Sequence, residues 1–302
     1  LFLPILLGMG DLFHHWMHPE GDKVLEGKVG YLNTTFFVIR AVFFFAAWTL
    51  LARFFYRNST AQDSDPSESI THRLRWWAPM GISVYALTST FAAFDWMMSL
   101  DPHWFSTIFG VYYFAGSAVA IFSSLVILTM FLQKRGLLEG IINEEHFHDL
   151  GKLMFGFTIF WTYIAFSQYF LIWYANLPEE TMWFDHRSHG TWLYVGAFLC
   201  VGHFLIPFFF LMPRTIKRIR KALFLGACWL LFMHWVDMFY VIQPVLTHND
   251  GGHDATLHAL DITTFIGIGG VFLAVILKRL CSNPLIPTGD PRLSESLTFE
   301  NP

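Results

Sequence analysis

Long apolar segments dominate the chain, and its polar residues are concentrated between them. An apolar segment of about 20 residues can cross a bilayer core of about 30 Å as an α-helix. None of these segments alternates polar with apolar positions, as the strand of a membrane barrel does. The pattern therefore predicts an all-α polytopic transmembrane helical bundle with seven full spans, at residues 33–56, 76–98, 103–132, 149–177, 190–212, 221–243 and 258–280.

A shorter apolar segment, LFLPILLGMG, precedes the first predicted span. It is too short to cross a bilayer, and it lacks the positively charged start of a signal peptide. We expect it to be the end of a truncated N-terminal helix that begins further upstream. The predicted organisation is one transmembrane bundle over residues 1–281 with its N-terminal helices missing, followed by a tail over residues 282–302.

The amino-acid composition supports a membrane protein. Hydrophobic residues make up 54% of the chain and charged residues only 14%, and the mean hydropathy is +0.45. Roughly a quarter of the residues are charged in a soluble protein. This composition excludes a disordered chain, and no basic face is set aside for nucleic acid. The three cysteines form no C-x-x-C or C-x-x-C-H motif, which argues against an iron–sulfur cluster or c-type haem within this chain.

The basic residues of the loops are distributed unequally between the two sides of the membrane. With seven spans, 15 Lys and Arg residues lie on one side and three on the other, namely Lys23, Lys28 and Arg187. Cytoplasmic loops carry an excess of Lys and Arg, so the basic side and the C-terminal tail are predicted to be cytoplasmic. The loop histidines then face the opposite side; they are His14, His15, His18, His186, His189, His248 and His253.

Several ionisable residues fall inside the predicted spans. A charged group at the centre of a membrane helix costs at least about 2.5–3.5 kcal/mol, so it usually faces the bundle interior or a cavity. We expect Arg40 to pair with one of three aspartates in the same half of the bilayer, and Lys152 to lie at the cytoplasmic mouth of a proton path. The other candidates for this path are Asp95, His203, His234, Asp237 and Asp261.

His234 and Asp237 form the most informative pair. They are three residues apart and share a helix face. A buried histidine oriented by a carboxylate can take up and release protons near neutral pH, so we expect this pair to be functional. The remaining candidates also have structural interpretations: a clamp for Arg40, a solvated headgroup position for Asp95, a packed core histidine for His203, and a helix start for Asp261.

Three kinds of function could use such buried groups. One is proton handling in a respiratory membrane subunit. A second is a haem b protein, because His203 and His234 lie near mid-depth on successive helices and imidazoles can be axial haem ligands. The third is a secondary transporter, in which Pro207 and the Gly267–Gly270 cluster would break helices, but no matching repeat halves are visible.

Three segments carry a resemblance to a known family: FDWMMSLDPHWFSTIFGVYYFAGS (94–117), EEHFHDLGKLMFGFTIFWTYIAFSQYFLIWYANLPEET (144–181) and NPLIPTGDPRLSESLTFEN (283–301). They resemble the ActF subunits of bacterial alternative complex III, which are similar to the NrfD/PsrC membrane subunits. The DPRLSESL motif favours ActF over the related ActC subunits. The resemblance implies about ten spans built around two four-helix bundles, and therefore helices missing from this chain.

The resemblance also implies a function. The chain would be a subunit of a quinol:cytochrome c, or high-potential iron–sulfur protein, oxidoreductase in the bacterial inner membrane, supplying scaffold and a proton path coupled to quinol oxidation. Implied partners are a sister NrfD-like subunit, iron–sulfur and multihaem c-type cytochrome subunits, lipid, and a menaquinol or ubiquinol pool. No metal or redox cofactor is expected within the chain itself, apart from a possible quinone or lipid. The alternative is a haem b or quinone-binding electron-transfer subunit, with Asp95, His234, Asp237 or Asp261 accepting a quinol proton.

Overall fold

The structure, a computed structural model, describes residues 1–249, 254–282 and 284–301. The regular structure in these residues is helical throughout, without a strand, which confirms the predicted all-α class. The side chain of His248 and the whole of His253 lie outside the described part. The chain divides into two compact units: unit 1 contains Leu1–Gly8, Arg40–Thr88 and Thr256–Pro302, and unit 2 contains Met9–Ile39 and Ser89–Ala255.

Short helices form the start of the chain: α1 (Leu3–Leu7), α2 (Met9–Leu12), α3 (His14–Met17) and α4 (Lys23–Glu26). The apolar segment LFLPILLGMG is therefore divided between α1 and α2, which meet at Gly8. Asp22 caps α4, because its carboxylate accepts hydrogen bonds from the backbone N–H groups of Val24 and Leu25 at 2.9 and 3.2 Å.

Longer helices make up most of the remaining chain. They are α5 (Thr34–Gln62), α6 (Glu68–Trp96), α7 (Phe109–Lys134), α8 (Glu144–Ala175), α9 (Pro178–Ser188), α10 (Trp192–Leu199), α13 (Arg220–Asn249) and α14 (Ala259–Leu280). Shorter elements connect or follow them: a 3-10 turn at Met98–Leu100, a π-helical segment at Cys200–Leu205, α11 (Ile206–Leu211), α12 (Arg214–Arg218) and α15 (Leu293–Leu297).

Six helical segments in the described residues are long and apolar enough to cross a membrane: Thr34–Gln62, Phe109–Lys134, Glu144–Ala175, Trp192–Leu211, Arg220–Thr247 and Ala259–Leu280. The predicted second span is a helix, α6, but it is not among the six. Its first two turns carry Glu68, Arg73 and Arg75, and its second half includes the run Thr88–Thr90, so it is less apolar than the others. The finding indicates a membrane protein and leaves the count of seven spans unconfirmed.

Local capping explains where α8 begins, five residues before the predicted start. The side chain of Asn143 accepts hydrogen bonds from the backbone N–H groups of Glu145 and His146 at 2.9 and 3.2 Å. The His146 ring lies 3.2 Å from the backbone N–H of Asn143 and completes a capping box. The EEHFHD segment thus forms the start of α8.

The core of unit 2 lies among α7, α8 and α13. One apolar cluster includes Phe147, Met154 and Leu230, each without exposed surface. Burying a side chain of this size contributes about 1.5–3 kcal/mol. Close helix approach also depends on Gly110 in α7, because a Cβ atom there would lie 2.4 Å from the Thr90 side chain. This packing brings together the polar side chains described next.

Candidate functional site

Asp237 of α13 is the centre of a buried polar site in unit 2. Its side chain has no exposed surface. One carboxylate oxygen accepts a hydrogen bond from the Tyr112 hydroxyl of α7, and the other accepts one from the Trp161 indole N–H of α8 at 3.1 Å. The sequence predicted that His234 would be the partner of this carboxylate. Instead, two aromatic side chains from neighbouring helices hold both oxygens.

His203 lies in the π-helical segment and is also completely buried. Its ring packs closely against that of Trp161, with the ring centroids 3.9 Å apart and the ring planes tilted by 31°. Neither ring nitrogen has a hydrogen-bond partner among the described residues. Buried polar atoms without partners are rare in proteins, and those that occur are often explained by function or by bound water.

The π-helical segment has a local cause in the sequence. Pro207 follows it and has no backbone N–H, so it cannot donate to the carbonyl of a residue in the preceding turn. The Gly202 carbonyl instead accepts a hydrogen bond from the Trp229 indole at 2.7 Å. Single π turns of this kind occur frequently at functional sites. The widened turn carries His203 into the core.

His234 of α13 approaches the same region from another side. Its Nδ1 atom is buried and has no hydrogen-bond partner among the described residues. A Cβ atom at Gly116 of α7 would lie 3.2 Å from Nδ1, so this glycine makes room for the imidazole. The same Cβ atom would lie 3.4 Å from the Trp161 ring, which places His234 and Trp161 beside one another at the α7 backbone.

We call these five side chains the Asp237 cluster: Tyr112, Trp161, His203, His234 and Asp237. The cluster combines a carboxylate, a phenol and two imidazoles, and each of these groups can hold or pass a proton. It is surrounded by apolar packing, where water has little access. Proton handling is the chemistry that this set of groups supports most directly.

A large cavity adjoins the cluster. It has a volume of about 1070 Å³ and is lined mostly by apolar side chains of α8, α9 and α10, together with Tyr112 and Trp161. Gln168 of α8 also lines it. The Gln168 side chain is 95% buried. An apolar cavity with a few convergent polar groups suits an amphiphilic ligand.

Arg187 of α9 lines the same cavity and is 98% buried. Its guanidinium donates to the backbone carbonyls of Trp183 at 2.8 Å, Tyr240 at 3.1 Å and Val241 at 2.7 Å. It also stacks over the Trp183 ring at 3.5 Å from the centroid. Burial lowers the pKa of Arg187 to about 9, which is still above neutral pH, so the group remains charged.

Asp95 lies near the end of α6 and is fully buried within unit 2. Its carboxylate accepts a hydrogen bond from the Tyr31 hydroxyl at 2.9 Å. The solvated position considered for Asp95 is therefore wrong. Lys28, three residues from Tyr31, donates to the Pro102 carbonyl at 2.6 Å, so this part of unit 2 has polar contacts of its own.

The other three candidates are not among the five residues of the Asp237 cluster. Arg40 and Asp261 belong to unit 1, where Arg40 is 92% buried. Asp261 accepts a hydrogen bond from the backbone N–H of His258 at 2.9 Å and so stabilises the start of α14. Lys152 pairs with Asp149 at 2.7 Å on the first turns of α8. The pairing of Arg40 with an aspartate, and the roles of all three in a proton path, stay predictions.

Haem ligation by His203 and His234 has little support in this packing. The Trp161 ring covers one face of His203, and the α7 backbone at Gly116 abuts His234. Neither histidine lines the large cavity. A haem between them would have to displace Trp161.

Sequence reasoning missed Tyr112, Trp161 and Arg187. The chain has 34 Phe, 12 Trp and 10 Tyr, so no single aromatic residue stood out in a span. Arg187 was counted as a loop charge, because α9 reads as a polar connection. A weak signal existed, since Arg187 is one of only three basic residues predicted on its side of the membrane.

The fold and the site together define a helical membrane protein with a buried polar cluster suited to proton handling. No protein-family model matches the chain. No curated protein matches it at a significant level either. The resemblance to ActF subunits therefore rests on the three quoted sequence segments.

Proposed function

We propose that the chain is an integral membrane subunit of a bacterial respiratory quinol:cytochrome c, or high-potential iron–sulfur protein, oxidoreductase. It crosses the inner membrane seven times, with α6 as the second span and the basic C-terminal side in the cytoplasm. It supplies scaffold and part of a proton path coupled to quinol oxidation. The observation that carries this proposal is the Asp237 cluster, a set of proton-active groups buried in an apolar helical core.

The partners in this proposal supply the electron transfer. A sister NrfD-like subunit, an iron–sulfur subunit and a multihaem c-type cytochrome subunit would carry electrons from quinol to the acceptor. In this chain, both ring nitrogens of His203 and the Nδ1 atom of His234 are buried without a hydrogen-bond partner among the described residues, and a proton moving through the bundle would pass these imidazoles. Asp237 would exchange that proton through Tyr112, whose hydroxyl is already hydrogen-bonded to the carboxylate. The resemblance to ActF subunits supports this assignment of partners.

Substituting Asp237→Asn tests the proton path. Asparagine preserves the side-chain shape but cannot exchange a proton at this position. The intact complex carrying the variant is reconstituted into liposomes, and proton movement is compared with quinol oxidation in the presence of an ionophore. We expect proton movement to fall by at least about ten-fold, since loss of a positioned proton-transfer group typically costs more than that. Quinol oxidation should stay within about two-fold of the wild type, because its cofactors lie on partner subunits.

The matched control is Asp11→Asn, which removes an exposed carboxylate outside the candidate spans. It should leave both activities unchanged. A parallel loss of proton movement and uncoupled quinol oxidation in Asp237→Asn would reject the proton path. Unchanged proton movement would reject it as well.

Quinone binding is a second candidate function, and the large cavity favours it. A quinone ring could lie among the aromatic side chains, and the Gln168 amide could donate to a quinone carbonyl oxygen. Labelling of the complex by a photoreactive quinone analogue tests this. If quinone binds here, Gln168→Leu should reduce labelling of this chain several-fold. The control Tyr163→Phe removes a hydroxyl from a mostly exposed residue at the same cavity and should not change it. Equal labelling of wild type and Gln168→Leu would exclude this candidate.

A further inference from the structure

A strongly basic segment connects two of the candidate membrane helices. Residues 214–221 read RTIKRIRK, which places five basic residues and no acidic residue among eight positions. The segment contains α12 and the first residues of α13, and it follows α11 directly. Clusters of Lys and Arg beside a membrane helix attract anionic lipid headgroups.

Part of this segment lines a groove of about 670 Å³ against the start of α8. The lining residues are Glu144, Arg214, Thr215, Arg218, Ile219 and Arg220. Three guanidinium groups and one carboxylate therefore face the same space. The groove is mainly a cation-lined site at the end of the candidate spans.

The contacts of two of these arginines, Arg218 and Arg220, leave donor capacity at the groove. Arg218 pairs with Glu145, but its Nε atom is buried and has no hydrogen-bond partner among the described residues. Arg220 lies beside the Phe147 ring, and its one hydrogen bond to the described residues is a long one, at 3.4 Å, to the uncharged side chain of Gln133. An oxygen-rich anion in the groove would satisfy these donors, because guanidinium groups bind phosphate oxygens with matched geometry.

Lys217 is the exception within the segment. It is 94% buried, and its ammonium donates to the backbone carbonyls of Leu211, Met212 and Pro213 at the end of α11. Burial lowers its pKa. Lys217 is therefore used to cap α11 and to hold the segment in place, so the arginines remain as the anion-binding groups.

Apolar surface next to the groove identifies the source of the anion. Ile219 lines the groove and is 48% exposed. Phe224 lies one turn beyond Arg220 on the same face of α13 and is 42% exposed, and Leu225 beside it is 64% exposed. A soluble phosphate ion would leave this apolar surface exposed, whereas the acyl chains of a lipid would cover it.

We propose that this groove is a binding site for an anionic phospholipid. The phosphate headgroup contacts Arg214, Arg218 and Arg220, and an acyl chain runs along Ile219 and Phe224. The site needs only that the helices lie in a bilayer, so it is independent of the redox role proposed above. A lipid held in this way would fix the short connection between α11 and α13 at the membrane surface.

Native mass spectrometry of the full protein, delipidated in detergent, tests the site. The added probes are phosphatidylglycerol, which is anionic, and phosphatidylcholine, which is zwitterionic. We expect the wild type to retain phosphatidylglycerol preferentially. The double variant Arg214→Gln/Arg220→Gln should bind it roughly 30-fold more weakly, since each basic residue near the surface contributes about a five-fold effect. The control Lys278→Gln/Arg279→Gln removes the basic pair at the end of α14 and should retain the preference.

Other outcomes would overturn the proposal. Equal binding of phosphatidylglycerol to the wild type and the arginine variant would exclude the groove. Displacement of the lipid by millimolar inorganic phosphate would indicate a soluble anion instead. If the double variant does not fold, Arg214→Lys/Arg220→Lys keeps the charges but loses the planar guanidinium groups. A wild type that binds both lipids equally would reject the site without any variant.

Discussion

At the scale of single residues, the Asp237 cluster depends on groups that satisfy a buried carboxylate without neutralising it. Both hydrogen bonds to Asp237 come from uncharged donors, Tyr112 and Trp161. A buried carboxylate costs several kcal/mol unless it is paired or protonated. Asp237 therefore exchanges a proton more readily than an aspartate held in a salt bridge would. Gly116 supports the packing beside it, since a Cβ atom there would lie only 3.2 Å from the His234 ring.

Tyr112→Phe should destabilise the protein by about 1–3 kcal/mol, because it leaves one buried oxygen of Asp237 without a donor. Thermal unfolding in detergent measures this as a lower melting temperature. Tyr174→Phe is the control, since Tyr174 is 77% exposed and its hydroxyl should contribute little. Identical melting temperatures for the two variants would show that the Tyr112 hydroxyl does not support the carboxylate.

At the scale of helices, Arg187 replaces a backbone hydrogen bond of α13 that is lost at Pro244. Proline has no N–H, so Pro244 cannot donate to the Tyr240 carbonyl four residues earlier. Arg187 of α9 donates to that carbonyl and to the next one, at Val241. A charge in a connecting helix thus stabilises the interior of a long neighbouring helix, which explains why it is buried.

A double-mutant cycle tests this relation. Arg187→Met should cost about 2–3 kcal/mol, because charge-assisted hydrogen bonds to backbone carbonyls are lost. Pro244→Ala supplies an N–H for the Tyr240 carbonyl, so Arg187→Met should cost about 1 kcal/mol less in that background. Unfolding free energies of the four proteins give the coupling. Strict additivity would mean that Arg187 does not act through the freed carbonyl.

The sequence predicted the helices better than the contacts between them. Apolar run length identified α5, α7, α8, α13 and α14 to within a few residues at most ends, because a membrane helix needs a continuous apolar segment. Apolar run length could not identify α9 as a buried element. The composition of α9 is polar, and the burial of this helix depends on Arg187. The π-helical turn at His203 was also invisible, although Pro207 had been noted. The burial of α9 and the π-helical turn depend on which helices pack together. The spacing of residues along one helix does not encode that packing.

At the scale of the whole molecule, the number of spans decides which side each loop faces. Within the described residues, six helical segments meet the length and hydropathy needed to cross a membrane, and α6 does not. If α6 stayed on one side, the loops before and after it would lie together. The split of 15 basic residues against three requires α6 to cross. Without that crossing, Arg53, Arg57, Arg73 and Arg75 lie on the less basic side, and the split becomes 13 against five.

Cysteine labelling across α6 tests the seventh span. Ser64→Cys and Ser106→Cys are made separately after Cys200, Cys228 and Cys281 have been replaced by serine. We expect a membrane-impermeant maleimide to reach the two new cysteines from opposite sides of sealed vesicles, because α6 separates them. Labelling of both from the same side would leave six spans and contradict the proposed seven-span topology.

The most direct test of the proposed function is the quinol:cytochrome c reductase activity that purifies with this chain. The full protein is tagged, solubilised gently from its native membrane and purified. The account predicts that quinol-dependent cytochrome reduction co-purifies with the tag in a fixed ratio to the chain, together with c-type haem on partner subunits. Recovery of the intact chain without activity, while the activity elutes in other fractions, would contradict it.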